Sequence, residues 1–99
     1  MTRPEPMTHD AVRRALPPGW DYDEDAAAIR TRIKTRDFAE SFAIATRIAM
    51  LAQAMDHHPK VTVVWGRIEV ELTTHQPRGI TALDIRMAGT IAAWTGSNG

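Results

Sequence analysis

Between residues 27 and 35 apolar and charged positions alternate, with Ile29, Thr31 and Ile33 to one side and Arg30, Arg32 and Lys34 to the other. A period of two is the signature of a half-buried strand. From residue 37 to 56 the period becomes helical, in a stretch with neither Gly nor Pro. Phe38, Phe42, Ala45, Ala49 and Ala52 form one stripe, and Ile44, Ile48, Leu51 and Met55 a second. A single stripe is enough to pack a helix on a sheet, so the surplus predicts contact with a second subunit or, as the plainer alternative, a deep groove in a monomer. Pro59 ends this helix, and period two returns in "KVTVVWGRIEVELTT" at 60–74. There Val61, Val63 and Trp65 alternate with Thr62 and Val64, Gly66 and Arg67 allow a turn, and Ile68, Val70 and Leu72 alternate with Glu69, Glu71 and Thr73. This reads as a hairpin.

The ends of the chain complete the pattern. Residues 8–16 predict a short helix, capped by Thr8 or Asp10 and stopped by Pro17-Pro18. Trp20 and Tyr22 then begin a short strand, and "HQPRG" at 75–79 reads as a loop. From 81 to 94, Leu83, Met87, Ile91 and Trp94 make a last helical stripe, and Thr81 to Asp84 fit a capping box with Asp in place of Glu. The order is helix, strand, strand, long helix, strand, strand, helix. That order predicts an α+β fold: a four-stranded antiparallel sheet with three helices packed on one face. If the strand with Arg30, Arg32 and Lys34 neighbours the strand with Glu69 and Glu71, opposite charges pair on the outer face.

Composition narrows the function classes. The 99 residues suit one domain, expected at 8–95, between polar tails at 1–7 and 96–99. A chain of this size often gains stability by association. The 12 basic and 12 acidic residues cancel, without the basic excess of a nucleic-acid-binding module. There is no cysteine, hence no disulfide framework and no thiolate metal site. No apolar run approaches the ~20 residues of a membrane span, and the N-terminus lacks the apolar core of a signal peptide. A cytoplasmic protein is expected.

The candidate chemistry gathers at "DHHP", 56–59, where two of the four histidines stand side by side. His75 ends a strand and Asp84 opens a helix, so one rim of the fold can carry all four groups. Imidazole gives and takes protons near neutral pH, which suits acid–base work. Plainer readings stand beside this one. A histidine after a helix can cap its last carbonyls, Asp84 can serve only its capping box, and His75 and His9 can be ordinary loop residues. Adjacent helical histidines point about 100° apart, and no H-E-x-x-H spacing occurs, so a metal site has little support.

The same residues resemble a known family. His58, Trp65, His75 and Asp84 stand at the intervals of the pterin-4a-carbinolamine dehydratase (DCoH) family, and "LPPGW" at 16–20 and "RDFAESFAIATRIAMLAQAMD" at 36–56 extend the likeness over residues 10–95. One departure is Gln53, where the family often has a charged residue four before the first histidine. The resemblance implies loss of water from 4a-hydroxytetrahydrobiopterin to give quinonoid dihydropterin, a step in tetrahydrobiopterin recycling beside aromatic amino-acid hydroxylases, with no cofactor and no metal. It implies His57 and His75 as proton-transfer groups, His58 as mainly a pterin-binding group, and Asp84 as a carboxylate that orients or charge-stabilises a histidine. Asp56, Thr73, Thr74 and Gln76 are implied to line the pocket, and Trp20 to stack on the pterin or serve the core. The family also implies a homodimer joined through sheets, or a homotetramer joined through the long helices. A non-catalytic assembly protein on the same scaffold is the alternative, and loss of the histidines would have favoured it.

Overall fold

The computed structural model describes residues 4–95. Helix α1 (His9–Ala15) begins at Thr8, whose hydroxyl accepts from the Ala11 N–H at 3.2 Å. Strands β1 (Trp20–Asp23) and β2 (Ala28–Lys34) follow, then the long helix α2 (Phe38–Met55), capped by the Asp37 carboxylate on the Glu40 N–H. Strands β3 (Lys60–Val64) and β4 (Arg67–Leu72) form the central hairpin. Helix α3 (Ala82–Thr95) closes the domain. The sheet order is β1-β2-β4-β3, antiparallel throughout. This is the expected α+β architecture of four antiparallel strands and three helices.

Alternation decides the two faces. Ile29, Ile68, Val70 and Leu72 point from the sheet into the core, where they meet Val12 of α1, Ile48 and Ala52 of α2, and Met87, Ala88 and Ile91 of α3. On the opposite face Arg30 pairs with Glu71 at 2.6 Å across β2 and β4, and Arg32 with Glu69 at 4.0 Å. Arg30 also reaches Asp23 at 2.8 Å, and its guanidinium holds the Asp23 carboxyl below the usual carboxylate range. A carboxyl lowered on folding adds stability above its unfolded value near 3.8, and that increment is lost as pH falls through the lower folded value. Asp23→Asn is therefore expected to shift the thermal midpoint slightly at neutral pH and not at all in strong acid, as a series of melts across pH will show.

Several local expectations are corrected. The central turn is Trp65-Gly66 rather than Gly66-Arg67, since Val64 pairs with Arg67 and Gly66 takes φ 77°. Trp65 thus leaves the apolar alternation of β3 and stands 73% exposed. The "HQPRG" segment is a small hairpin, β5 (Thr74–His75) with β6 (Arg78–Gly79), closed by a cis Gln76-Pro77 bond. His9 is the first helical residue of α1 rather than a loop residue, and its Nδ1 lies 2.7 Å from the Tyr22 hydroxyl. Met7, expected in a free tail, is tied down. The Met7 N–H donates to Ile80 O at 2.7 Å, and its side chain packs on the core. The tail expectations for 1–3 and 96–99 lie outside the described residues. Among the described residues no helix is long and apolar enough to cross a membrane.

Of the two stripes on α2, the second is absorbed whole and the first only through Ala45 and Ala52. Ile44, Ile48, Leu51, Ala52 and Met55 pack on the sheet and α3, whereas Phe38, Phe42 and Met50 remain about half exposed or more.

Candidate active site

The end of α2 places the first histidine. Asp56 takes the left-handed conformation (φ 52°, ψ 44°), a geometry that short polar side chains tolerate better than most. Its N–H donates to Gln53 O, and the His57 N–H to Ala52 O at 3.1 Å. This backbone closure satisfies the Ala52 and Gln53 carbonyls, so neither imidazole is needed to cap them. The chain turns sharply, and the His57 ring swings toward α3.

There Nε2 of His57 meets Oδ1 of Asp84 at 2.6 Å. Asp84 is fully buried, and the His57 side chain is 11% exposed. The second carboxylate oxygen, Oδ2, accepts from the Thr81 N–H at 2.9 Å and from the Thr74 hydroxyl at 2.7 Å. The capping box foreseen at Thr81 and Asp84 is thus present, with the Leu83 N–H donating to Thr81 Oγ1 at 3.3 Å. Both readings of Asp84 hold together: one oxygen caps α3 and the other holds a histidine. Because a carboxylate has no proton to give, Nε2 of His57 is the donor, and Nδ1 is the ring nitrogen open to a bound molecule.

In front of this pair lies a cleft of about 910 Å³. Asp56, His57, His58, Thr73, Thr74, His75 and Gln76, all seven residues expected to line a pocket, line it. Asp84 lies behind the wall. Trp20 is buried in the core, and Trp65 is not among the lining residues. Among the described residues the side chains of His58 and His75 have no hydrogen-bond or charge partner, so their ring nitrogens are available. The Thr73 hydroxyl instead donates to Ala27 O at 2.5 Å. No three of His, Cys, Asp and Glu converge on one metal position among the described residues.

Sequence reasoning missed three wall residues, Pro4, Met55 and Leu83. Met55 ends the α2 stripe and Leu83 begins that of α3, so both were assigned to the core alone. The signal was positional: each sits at the helix end nearest the histidines. Together they give the cleft apolar walls beside its imidazoles.

The sequence matches the family profile described as pterin 4 alpha carbinolamine dehydratase over residues 5–94. The chain belongs to that family. A relative from Rhizorhabdus wittichii named "Putative pterin-4-alpha-carbinolamine dehydratase" is 41% identical over 91 residues, spanning 90% of this chain and 94% of the relative. One of the same name from Mesorhizobium japonicum is 42% identical over 90 residues, covering 89% and 91% of the two chains. A crystal structure described as a transcriptional coactivator/pterin dehydratase from Brucella melitensis superposes with a TM-score of 0.87 at 33% identity, over 93% of this chain and all of that one. The cleft described above therefore sits on the scaffold of the pterin dehydratase family.

Proposed function

We propose that the protein is a 4a-hydroxytetrahydrobiopterin dehydratase working by histidine general acid–base catalysis in tetrahydrobiopterin recycling. The observation that carries this reading is the buried His57–Asp84 pair in the wall of a cleft that His58 and His75 also line. Met55 and Leu83 offer apolar surface to a flat heterocycle, and the imidazoles offer it donors and acceptors.

The reaction needs two proton movements. A base removes the proton from N5, the N5 electron pair forms a C4a=N5 double bond, and the C4a–O bond breaks as an acid protonates the departing hydroxyl. Water and quinonoid dihydropterin are the products, and solvent restores the two imidazoles. His57 suits the base role, because the imidazolium it forms through Nδ1 lies against the Asp84 carboxylate. His75 then supplies the proton to the hydroxyl, and His58 binds and orients the ring. The supply of hydroxypterin by an aromatic amino-acid hydroxylase belongs to the same reading.

The test is the absorbance-followed dehydration of 4a-hydroxytetrahydropterin with purified protein, corrected for its spontaneous decay. Clear acceleration is expected, and folded protein without any acceleration would overturn the assignment in favour of a non-catalytic assembly role.

The family resemblance and the uncovered face of α2 also support association of copies through this helix. Phe42 is 60% exposed and Met50 70%, on a face that the other described residues leave uncovered. Light scattering is expected to give a mass of two or four chains, and a Phe42→Glu, Met50→Glu double variant is expected to lower it.

A further inference from the structure

Resting on the activity proposed above, we propose that Thr74 is a positioning residue for His57 rather than a pterin contact: its buried hydroxyl locks the Asp84 carboxylate in the rotamer that holds His57 Nε2–H and presents Nδ1 to substrate. Thr74 lines the cleft, yet its Oγ1 points the other way. It lies 2.7 Å from Asp84 Oδ2 and 2.9 Å from Thr81 Oγ1, in bonds that are fully buried. The Thr81 hydroxyl itself accepts from the Leu83 N–H at 3.3 Å.

Donor inventory and bond length together set the direction of this chain. Each threonine hydroxyl has one proton. Asp84 Oδ2 is acceptor only, so the shorter bond takes the Thr74 proton. The Thr81 hydroxyl is left to donate to Thr74 Oγ1 at 2.9 Å, or over a longer reach to Asp84 Oδ2 at 3.4 Å. The run with the shortest bonds is Leu83 N–H to Thr81, Thr81 to Thr74, and Thr74 to Asp84. It starts on a backbone amide of α3 and ends on the carboxylate that holds the histidine. With Oδ2 also receiving the Thr81 N–H at 2.9 Å, the carboxylate has no freedom to rotate its oxygens. Oδ1 is left for His57 alone. No buried side-chain polar atom in the described structure lacks a partner, so the chain is closed at both ends.

Two variants and two readouts test this assignment. Thr74→Val keeps the shape and removes the hydroxyl, and Thr74→Ser restores it. A positioning role predicts that Thr74→Val lowers kcat by roughly 10-fold to 100-fold while KM stays within about twofold, the size expected from a slight misplacement of a reacting group. Thr74→Ser is expected to recover most of the rate. The second readout needs no activity: nitrogen-detected NMR of the imidazoles is expected to show the Nε2–H form of His57 in wild type and Thr74→Ser, and mixed tautomers in Thr74→Val. A rise in KM with kcat unchanged would make Thr74 a substrate contact and overturn the proposal. An unaltered His57 tautomer in Thr74→Val would overturn it too, even in protein with no dehydratase activity. Loss of activity in wild type with the tautomer shift intact would instead strike only the assigned reaction. If Thr74→Val fails to fold, Thr74→Ser decides: rate and tautomer indistinguishable from wild type are expected, and a tautomer change despite the retained hydroxyl would overturn the proposal.

Discussion

His57→Ala is expected to lose nearly all catalysed dehydration while the protein stays folded. General acid–base groups contribute roughly 10²–10⁴ in rate, and His57 is the histidine whose ring is held by a buried carboxylate. The side chain is 11% exposed and follows the helix end, and the Ala52 and Gln53 carbonyls are closed by backbone N–H groups, so its removal leaves that closure intact. Asp84 keeps its bonds to Thr74 and Thr81 in this variant, though it loses the partner of Oδ1. His75→Ala is expected to give a similar rate loss at smaller structural cost, because the side chain is exposed and has no partner among the described residues. His58→Ala is expected to raise KM more than it lowers kcat. His9→Ala is the control, since its ring bonds Tyr22 outside the cleft. Full activity in both His57→Ala and His75→Ala would move the chemistry elsewhere. Circular dichroism on each variant separates lost chemistry from lost fold.

The fold was legible where one period governed a whole element. The alternation in 28–34 and 68–72 named two strands, and the charge pairing expected of them as neighbours is present, with Arg30 opposite Glu71 and Arg32 opposite Glu69. The ends of elements were less legible. Trp65 fits the alternation of β3 by spacing, yet the two-residue turn with Gly66 takes it out of the strand, a decision made by turn geometry rather than hydrophobicity. The short β5–β6 hairpin carries too few residues for any period to show.

The site was legible in its histidines and less so in its walls. "DHHP" marks a helix end by its proline, but only the left-handed Asp56 decides which way the His57 ring turns. Met55 and Leu83 were invisible as cleft residues because an apolar stripe looks the same whether its last member faces core or ligand. Pro4 was invisible for a different reason. Its place depends on the Met7 amide pairing with Ile80, a long-range bond with no local pattern.

Asp84 is where fold and chemistry meet, and two substitutions there are expected to separate them. Asp84→Ala removes a fully buried carboxylate and leaves the Thr81 N–H and the Thr74 hydroxyl without an acceptor. An unsatisfied buried donor costs about 1–3 kcal/mol, and loss of a helix cap about 1 kcal/mol. A destabilisation of about 3 kcal/mol is expected, which for a domain of this size lowers Tm by roughly 12–24 °C. The comparison must be made at one protein concentration, since association shifts apparent stability. Asp84→Asn should behave differently. Its amide oxygen can still accept from Thr81 and Thr74, so the cap of α3 survives and the melt moves little. The amide nitrogen then faces His57, and Nε2 must change from donor to acceptor. The ring proton moves to Nδ1, the nitrogen needed as base, and the imidazolium loses its counter-charge. A rate loss of roughly 100-fold or more is expected, in line with the cost of a wrong histidine tautomer elsewhere. A folded Asp84→Asn protein with wild-type rate would reduce Asp84 to a helix cap. A folded but inactive one would show that a single buried side chain stabilises α3 with one oxygen and arms the histidine with the other.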